Sequence, residues 1–517
     1  ETDWVNLGTT SMEAVRFPRG ITRVRLELPE FRTAHDIFHV VELTAFGATD
    51  RQKSLWHFQL VKPGEIPDEM ERVPAGQFPL FMPGVDHLPE EPMASFLYDR
   101  HPVTNREYKA FVDAGGYRTK EYWQEPFIDG DRTLSWEVAI TKFTDLVGQP
   151  GPAFWEFGEY PQGEDALPVV GVSWYEAVAY AAWAKKTLPS IFHWNRTAFA
   201  IASSQIIPFA NFSNRGPVPV GSTRSVNRFG VHDLAGNVRE WVWNEYDKPG
   251  NRMILGGGWN DPEYAFTDAY AQSAFDRSRT NGFRCTRTIG DEPNQVNLTR
   301  KIDFPFRDFR KETPVSDDVF SFFVRQFTYD KTPLNAVIEA EEDTLYGKRQ
   351  MITFPAAYGG EPMVAYLYLP ANPKPPLQTV IIFPGSLAIH VRTFGSGELR
   401  RTDFLLKSGR AVLHPVYKGT YQRGGEMKSD YQEETAFYKD HVIMWYKDLA
   451  RSIDYLETRS DIDADKLAYY GISWGGAMGA IMPAVEKRIK ANILYVAGLL
   501  FQRALPEADQ INYITRV

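Results

Sequence analysis

Apolar residues in the last third of the chain form short runs separated by longer amphipathic stretches. The runs at 379–383, 411–417 and 467–470 have the length and composition of strands buried on both faces. Apolar positions between the last two recur at helical spacing and predict a helix from about 433 to 456. The apolar stretch 477–485 predicts a further helix. This alternation predicts a doubly wound parallel sheet with ligands at the carboxyl ends of its strands.

The N-terminal region has a different pattern, with a period of two. Leu26 and Leu28 face one way and Arg25 and Glu27 face the other, as in a half-buried strand. Similar short runs separated by turns predict a small β-sandwich over residues 1–68.

The middle of the chain shows little regular periodicity. Residues 69–290 are predicted to form a domain that is poor in regular structure and held by aromatic residues and glycine turns. Thr104 and Ser173 each have the position and type of a helix cap. Residues 291–345 are predicted to be a linker with one short helix capped by Ser316, and residues 346–517 are predicted to form the last domain.

Composition narrows the class of partner. The chain has 517 residues, a net charge of −9 and a pI near 5.7, which argues against nucleic acid or an anionic membrane. Its one cysteine, Cys285, allows neither an intrachain disulfide nor a cysteine-based zinc cluster. We find no apolar run long enough for a membrane span. Because the chain begins at Glu1 and stops in mid-pattern at Val517, we expect a fragment of a longer protein.

One short segment carries the clearest sign of chemistry. The residues Gly471-Ile-Ser-Trp-Gly475 follow an apolar strand and precede a predicted helix. Such a strand–turn–helix holds Ser473 on a strained turn, with its hydroxyl exposed at a helix N-terminus, as a serine nucleophile requires. A glycine-rich turn without chemistry is the alternative interpretation.

With the strand order, this segment resembles the α/β-hydrolase family over about 170 residues, especially its acyl-esterase and prolyl-peptidase-like branches. The resemblance implies that Ser473 is the nucleophile and that the N–H groups of Trp474 and Ser386 form the oxyanion hole. It also implies a small-molecule ester or acylated substrate and no required cofactor.

The histidines depart from the family pattern. The family places its acid and histidine after the serine, yet His390, His414 and His441 all precede Ser473. His414 lies in an apolar strand, which favours a core position over a catalytic base. We therefore expect the acid and the histidine to lie beyond Val517.

Five motifs in the middle region resemble the formylglycine-generating enzyme (sulfatase-modifying factor) family, in the order of that family. They are Val73-Pro-Ala-Gly-Gln-Phe78, Phe96–Tyr108, Pro168–Trp183, Gly230–Trp241 and Gly282-Phe-Arg-Cys285. The resemblance implies a fold related to C-type lectins. It also implies a copper(I) site of two cysteines, but the corresponding stretch 267–281 has none. Cys285 matches a non-catalytic position, so we predict a non-catalytic module that binds a protein or a glycan.

The same resemblance implies one metal site. Asn237 and Glu240 fall where the family often places calcium ligands, and hard oxygen ligands suit calcium. Arg239 stands between them. The alternative is that Glu240 pairs with a neighbouring arginine.

Two functions remain open at this point. Residues 13–26 resemble the small β-domains of the PEGA kind, and similar strings of domains occur joined to bacterial serine/threonine kinases. One hypothesis is a serine hydrolase with a binding module. The other is a non-enzymatic sensor or adaptor region of a kinase-type signalling protein. The sequence leaves the compartment open, whether the bacterial cytoplasm or an extracytoplasmic portion of a larger protein.

Overall fold

The computed structural model describes residues 4–10, 12, 15, 20–40, 60–80, 82–83, 85, 88–198, 206–303, 307–395 and 402–517. The described residues fall into two compact units, one ending at residue 303 and the other beginning at residue 307. The chain is thus multidomain, with sheets in both units. No helix in these ranges is both long and apolar enough to cross a membrane.

The first unit begins with a two-stranded antiparallel sheet. Strands β1 (Gly20–Leu26) and β2 (Ala34–Val40) pair so that Arg23 faces Ile37. Part of the predicted sandwich, residues 41–59, lies outside the described residues. The sandwich therefore stays a prediction.

Short elements make up the rest of the first unit, in agreement with the predicted scarcity of regular structure. The strands are β3 (Met70–Val73), β4 (Gly76–Phe78), β5 (Glu91–Met93), β6 (Phe96–Asp99), β7 (Phe127–Asp129), β8 (Arg132–Leu134), β9 (Arg239–Glu245), β10 (Asn251–Leu255), β11 (Ala271–Ser273), β12 (Asn281–Gly282) and β13 (Thr286–Thr288). The helices are α1 (Asn105–Asp113), α2 (Trp136–Ala139), α3 (Trp174–Trp183), α4 (Ile191–Ala198) and α5 (Gln295–Thr299).

Two sheets organise these elements. One has the order β11-β10-β9-β12 and the other β13-β6-β3. Capping boxes begin α1 at Thr104 and α3 at Ser173, as predicted, because each cap hydroxyl accepts from a backbone N–H three residues later. Aromatic rings fill much of the core; Trp123 stacks on Phe143 with ring centroids 5.3 Å apart.

A seven-stranded sheet forms the centre of the second unit. Its strands are β14 (Val337–Thr344), β15 (Gly347–Pro355), β16 (Pro362–Pro370), β17 (Leu377–Phe383), β18 (Ala411–Pro415), β19 (Ile462–Ile472) and β20 (Ile489–Tyr495). They lie in the order β14-β15-β16-β18-β17-β19-β20. Strands β18, β17, β19 and β20 are mutually parallel. Strands β14, β15 and β16 pair antiparallel with one another, and β16 pairs antiparallel with β18. The sheet begins before residue 346, since β14 pairs with β15.

The helices of this unit are α6 (Asp317–Gln326), α7 (Leu387–His390), α8 (Asp403–Lys407), α9 (Ala436–Glu457), α10 (Trp474–Met478) and α11 (Met482–Val485). Helix α9 confirms the helix predicted near 433–456. The single helix predicted over 477–485 is wrong, because two short helices stand there instead. Gly479 is the C-cap of α10, and Pro483 occupies the first turn of α11.

Candidate active site

Ser473 lies at the carboxyl end of β19, the strand between β17 and β20. Its backbone has φ 52° and ψ −108°, a conformation that an L-residue adopts only under constraint, and the residue is exposed. The Ser473 N–H donates to the Tyr495 carbonyl oxygen at 2.8 Å, which fixes the turn to the end of β20. The serine hydroxyl is therefore presented at the edge of the sheet where ligands bind in parallel sheets.

The flanking glycines explain why the chain can make this turn. A Cβ at Gly471 would collide with the carbonyl oxygen of Gly475. A Cβ at Gly475 would in turn collide with the Phe383 carbonyl on the neighbouring strand β17. Only residues without a side chain fit at both positions, so the spacing of these glycines reflects close packing of backbone against backbone.

The loop that follows β17 lies beside the serine. A Cβ added to Gly385 would lie 3.6 Å from the Cβ of Ser473, and the Gly475 N–H donates to the Pro384 carbonyl oxygen at 3.1 Å. The next residue, Ser386, is the N-cap of α7. The structure thus brings the Ser386 loop next to the serine turn.

Trp474 and Ser386 each stand at a helix start, where backbone N–H groups have no partner within the helix. In the parts of the chain that the structure describes, neither N–H donates to a recorded carbonyl acceptor. The Trp474 ring is buried and packs edge-on against Phe383 and Trp445, with centroids 4.9 and 4.8 Å apart. This packing holds the peptide that carries the Trp474 N–H.

A buried ion pair supports this packing from below. Asp448 is fully buried and accepts from Arg423 and from the Lys418 N–H, both at 2.8 Å. Trp445 Nε1 donates to the Lys418 carbonyl oxygen at 2.8 Å. Burial raises the pKa of Asp448, and the Arg423 guanidinium opposes that shift. Sequence reasoning missed Asp448, because an aspartate within a long helix has no pattern that distinguishes a buried position from a solvated one.

The three histidines of this unit lie on three different elements, α7, β18 and α9. His414 is buried in β18, and burial lowers its pKa to about 3. The His441 Nδ1 atom lies 2.8 Å from the Phe437 carbonyl oxygen, and its Nε2 atom lies 3.7 Å from Glu426. His390 is exposed at the end of α7. Among the described residues, no histidine forms a recorded hydrogen bond with the Ser473 hydroxyl.

Cys285 occupies a closed position in the first unit. Its side chain is buried, its N–H donates to Asp99 Oδ2 at 2.8 Å, and burial raises the pKa of its thiol well above the usual range. A protonated, inaccessible thiol is a poor metal ligand and a poor nucleophile.

The two residues predicted as calcium ligands have other partners. Both carboxylate oxygens of Glu240 accept from Arg284 Nε at 2.9 Å, and both side chains are fully buried. Asn237 Oδ1 accepts from the Val218 N–H at 2.9 Å. In the described ranges, no group of three or more histidine, cysteine, aspartate or glutamate residues is arranged to hold a metal ion. The ion pair with an arginine is thus present, and calcium stays a prediction.

Comparison with known families finds similar proteins for the first unit. Residues 57–289 match the family described as sulfatase-modifying factor enzyme 1-like domain. The chain is 29% identical over 238 residues to a formylglycine-generating enzyme from Thermomonospora curvata, covering 37% of this chain and 78% of that protein. It is 26% identical over 279 residues to the inactive C-alpha-formylglycine-generating enzyme 2 of Bos taurus, covering 44% of this chain and 90% of that protein.

Two further matches cover smaller shares. The chain is 31% identical over 163 residues to the serine/threonine-protein kinase pkn1 of Chlamydia caviae, covering 30% of this chain and 24% of the kinase. A glucuronoyl esterase structure from Solibacter usitatus aligns with a TM-score of 0.27 and 19% identity, over 35% of this chain and 58% of the esterase. A TM-score of 0.27 is too low for the esterase alignment to indicate a function for this chain.

Proposed function

Since residues 57–289 carry a sulfatase-modifying factor enzyme 1-like domain, we propose that the chain joins this domain, as a binding module, to a serine hydrolase of the α/β-hydrolase fold. The hydrolase would act on a small-molecule ester or an acylated substrate. One observation carries the proposal: an exposed serine in a strained conformation at the carboxyl end of a parallel strand.

The proposed chemistry assigns three groups. The Ser473 oxygen attacks the ester carbonyl carbon and forms an acyl-enzyme, and the alcohol leaves with a proton. The N–H groups of Trp474 and Ser386 stabilise the oxyanion, and removing such a donor typically costs about 3–4 kcal/mol of transition-state stabilisation. No base is assigned, since no described histidine is hydrogen-bonded to the Ser473 hydroxyl.

The first unit is proposed to bind rather than to oxidise. The stretch 267–281 contains no cysteine, and copper(I) requires soft thiolate or thioether ligands. The buried, protonated Cys285 does not fit that role. A protein or glycan ligand is the proposed partner of this module.

Labelling with a fluorophosphonate probe tests the assignment of Ser473. We expect one label per chain, located by mass spectrometry at Ser473 and lost in Ser473→Ala. Added imidazole, which can accept the serine proton in place of a protein base, should raise the labelling rate. Ser408→Ala is the matched control, because Ser408 is also exposed in this unit but has an ordinary backbone φ of −81°.

The alternative is a non-enzymatic sensor or adaptor region of a kinase-type signalling protein. It is favoured by the first module, whose stretch 267–281 has no cysteine to bind copper(I). Similarity to a protein named inactive formylglycine-generating enzyme 2 and to kinases named pkn1 points the same way. A wild-type chain that remains unlabelled at Ser473, even with imidazole, would overturn the hydrolase and support the adaptor.

A further inference from the structure

A cavity of about 450 Å³ lies in the first unit, between the β1–β2 hairpin and the domain that follows it. The hairpin side contributes Arg23, Arg32 and His35, and the domain side contributes Glu71 and Arg100. None of these residues belongs to the serine site, so the cavity is independent of the proposed hydrolase.

Positive charge dominates the lining. Arg32 and Arg100 share one carboxylate oxygen of Glu71, at 3.2 and 2.7 Å. Two guanidinium groups therefore share one carboxylate, although the whole chain carries a net charge of −9. A carboxylate held by two arginines leaves an excess of positive charge that a bound anion would neutralise.

Backbone contacts hold the guanidinium groups in place. Arg32 donates to the carbonyl oxygens of Pro67 and Met70, both at 3.3 Å, and Arg23 donates to the Arg224 carbonyl oxygen at 3.3 Å. An arginine whose orientation is already fixed loses less entropy when it binds an anion. The lining is thus organised before any ligand arrives.

The titratable groups around the cavity reflect the same positive field. Burial lowers the pKa of His232 to about 4, and Arg100, Arg284 and Arg23 add to the shift. Burial also raises the pKa of Glu71, against the pull of Arg100 and Arg32. Groups near the cavity are therefore poorly solvated, where a charge-assisted hydrogen bond is stronger than in water.

We propose that this cavity binds a small organic oxyanion, a phosphate monoester or a carboxylate, through Arg23, Arg32 and Arg100. Guanidinium forks match the paired oxygens of both groups. Ile37 and Val226 also line the cavity and offer apolar contact to the organic part. The volume falls within the range typical of small-molecule sites.

Calorimetric titration at low ionic strength tests the proposal with three probes: phenyl phosphate, benzoate and inorganic phosphate. We expect one saturable site for at least one aromatic probe, and weaker binding of inorganic phosphate because it lacks the apolar part. Tighter binding of phenyl phosphate than of benzoate assigns a phosphate monoester, and the reverse order assigns a carboxylate. Absence of saturable binding by all three probes would overturn the proposal.

Variants locate the site and test the sign of its charge. Arg23→Gln should weaken binding about tenfold, the scale of one lost charge-assisted hydrogen bond. Arg25→Gln is the matched control, because Arg25 lies two residues along the same strand, pairs with Glu27 at 3.0 Å and is not part of the lining. Equal affinities of these two variants would overturn the proposal.

Glu71→Gln should act in the opposite direction. It removes the only carboxylate among the described lining residues and keeps the side-chain shape, so anion binding should tighten several-fold. Weaker binding in this variant, with near-ultraviolet circular dichroism unchanged, would contradict a site governed by positive charge.

Discussion

Two nucleophilic side chains in this molecule lie in short glycine-containing motifs, yet their surroundings differ. Ser473 is exposed on a backbone at φ 52°, while Cys285 is fully buried next to Asp99. At the serine turn, a strained backbone conformation keeps the hydroxyl oxygen exposed. The cysteine region surrounds its sulfur with packing. Local geometry, and not residue type, therefore decides whether such a side chain can act as a nucleophile.

The packed region around Cys285, called the closed region below, is held together by a buried ion pair. Arg284 is fully buried, pairs with Glu240, and donates further to the carbonyl oxygens of His232 at 2.8 Å and Asp99 at 3.2 Å. The pKa of Glu240 is raised by burial and lowered in turn by Arg284. Because these two buried charges neutralise each other, exposing either one alone is costly, so this region should open as a whole rather than by small steps.

The largest expected effect follows from breaking this pair. Arg284→Met leaves Glu240 buried without its partner, which should cost about 3–5 kcal/mol of the free energy of unfolding. Cys285 is the one cysteine of the chain and so reports opening directly. Its labelling by a thiol reagent in the native state should accelerate at least about 100-fold.

A surface ion pair provides the control for that variant. Lys348 and Glu341 lie 2.7 Å apart with both side chains largely exposed, so Lys348→Met should change stability by less than about 1 kcal/mol. Similar labelling rates of Cys285 in Arg284→Met and in the wild type would show that the Arg284–Glu240 pair does not keep the region around Cys285 closed.

The sequence was sufficient to predict the serine turn and several strands, because each depends on local chemistry. The glycines at 471 and 475 are required by backbone contacts, which a spacing rule captures. Buried strands such as β17 and β18 appear as continuous apolar runs. These features are encoded within a few neighbouring residues.

Features that depend on distant contacts were not predictable in the same way. The burial of Asp448 requires Arg423 from another segment, and the choice between calcium and an arginine at Glu240 depends on Arg284, which is far away in sequence. The break between α10 and α11 was missed because apolar composition outweighed Gly479 and Pro483 in the pattern. For Asp448 and Glu240 the missing information was the partner, whereas the helix break depends on residues of the segment itself.

A second prediction concerns the stability at low pH of the second unit, which carries Ser473. His414 is buried and its folded-state pKa is lowered to about 3, below the ordinary value of 6.5, by desolvation. The unfolded chain therefore binds more protons below pH 6.5, so stability falls as pH drops from 6.5 towards 3. This one group contributes up to about 1.4 kcal/mol per pH unit, or about 2 kcal/mol at pH 5.

Urea unfolding at pH 7 and pH 5 measures how much His414 contributes to the loss of stability at the lower pH. His414→Phe should reduce the loss of stability between these two values by about 2 kcal/mol, since phenylalanine has no proton to gain. His390→Gln, at an exposed position of the same unit, should leave the loss unchanged. An identical pH dependence in His414→Phe and wild type would show that His414 does not control acid stability.

The smallest effect tests the strain at the serine itself. Ser473→Gly should stabilise the second unit by about 1 kcal/mol, because glycine tolerates φ 52° and the relief of strain exceeds its greater entropy in the unfolded chain. The same exchange at Ser408, where φ is −81°, should destabilise by about 0.5–1 kcal/mol.

Cys285→Ala in the closed region should also destabilise, because it leaves a small cavity in a packed core. If urea unfolding gave all three variants the same sign, the contrast between a strained, open serine and a packed cysteine would be wrong. Opposite signs at Ser473 and Cys285 would instead indicate that stability is given up at the serine to hold its hydroxyl exposed, the compromise expected of a reactive site.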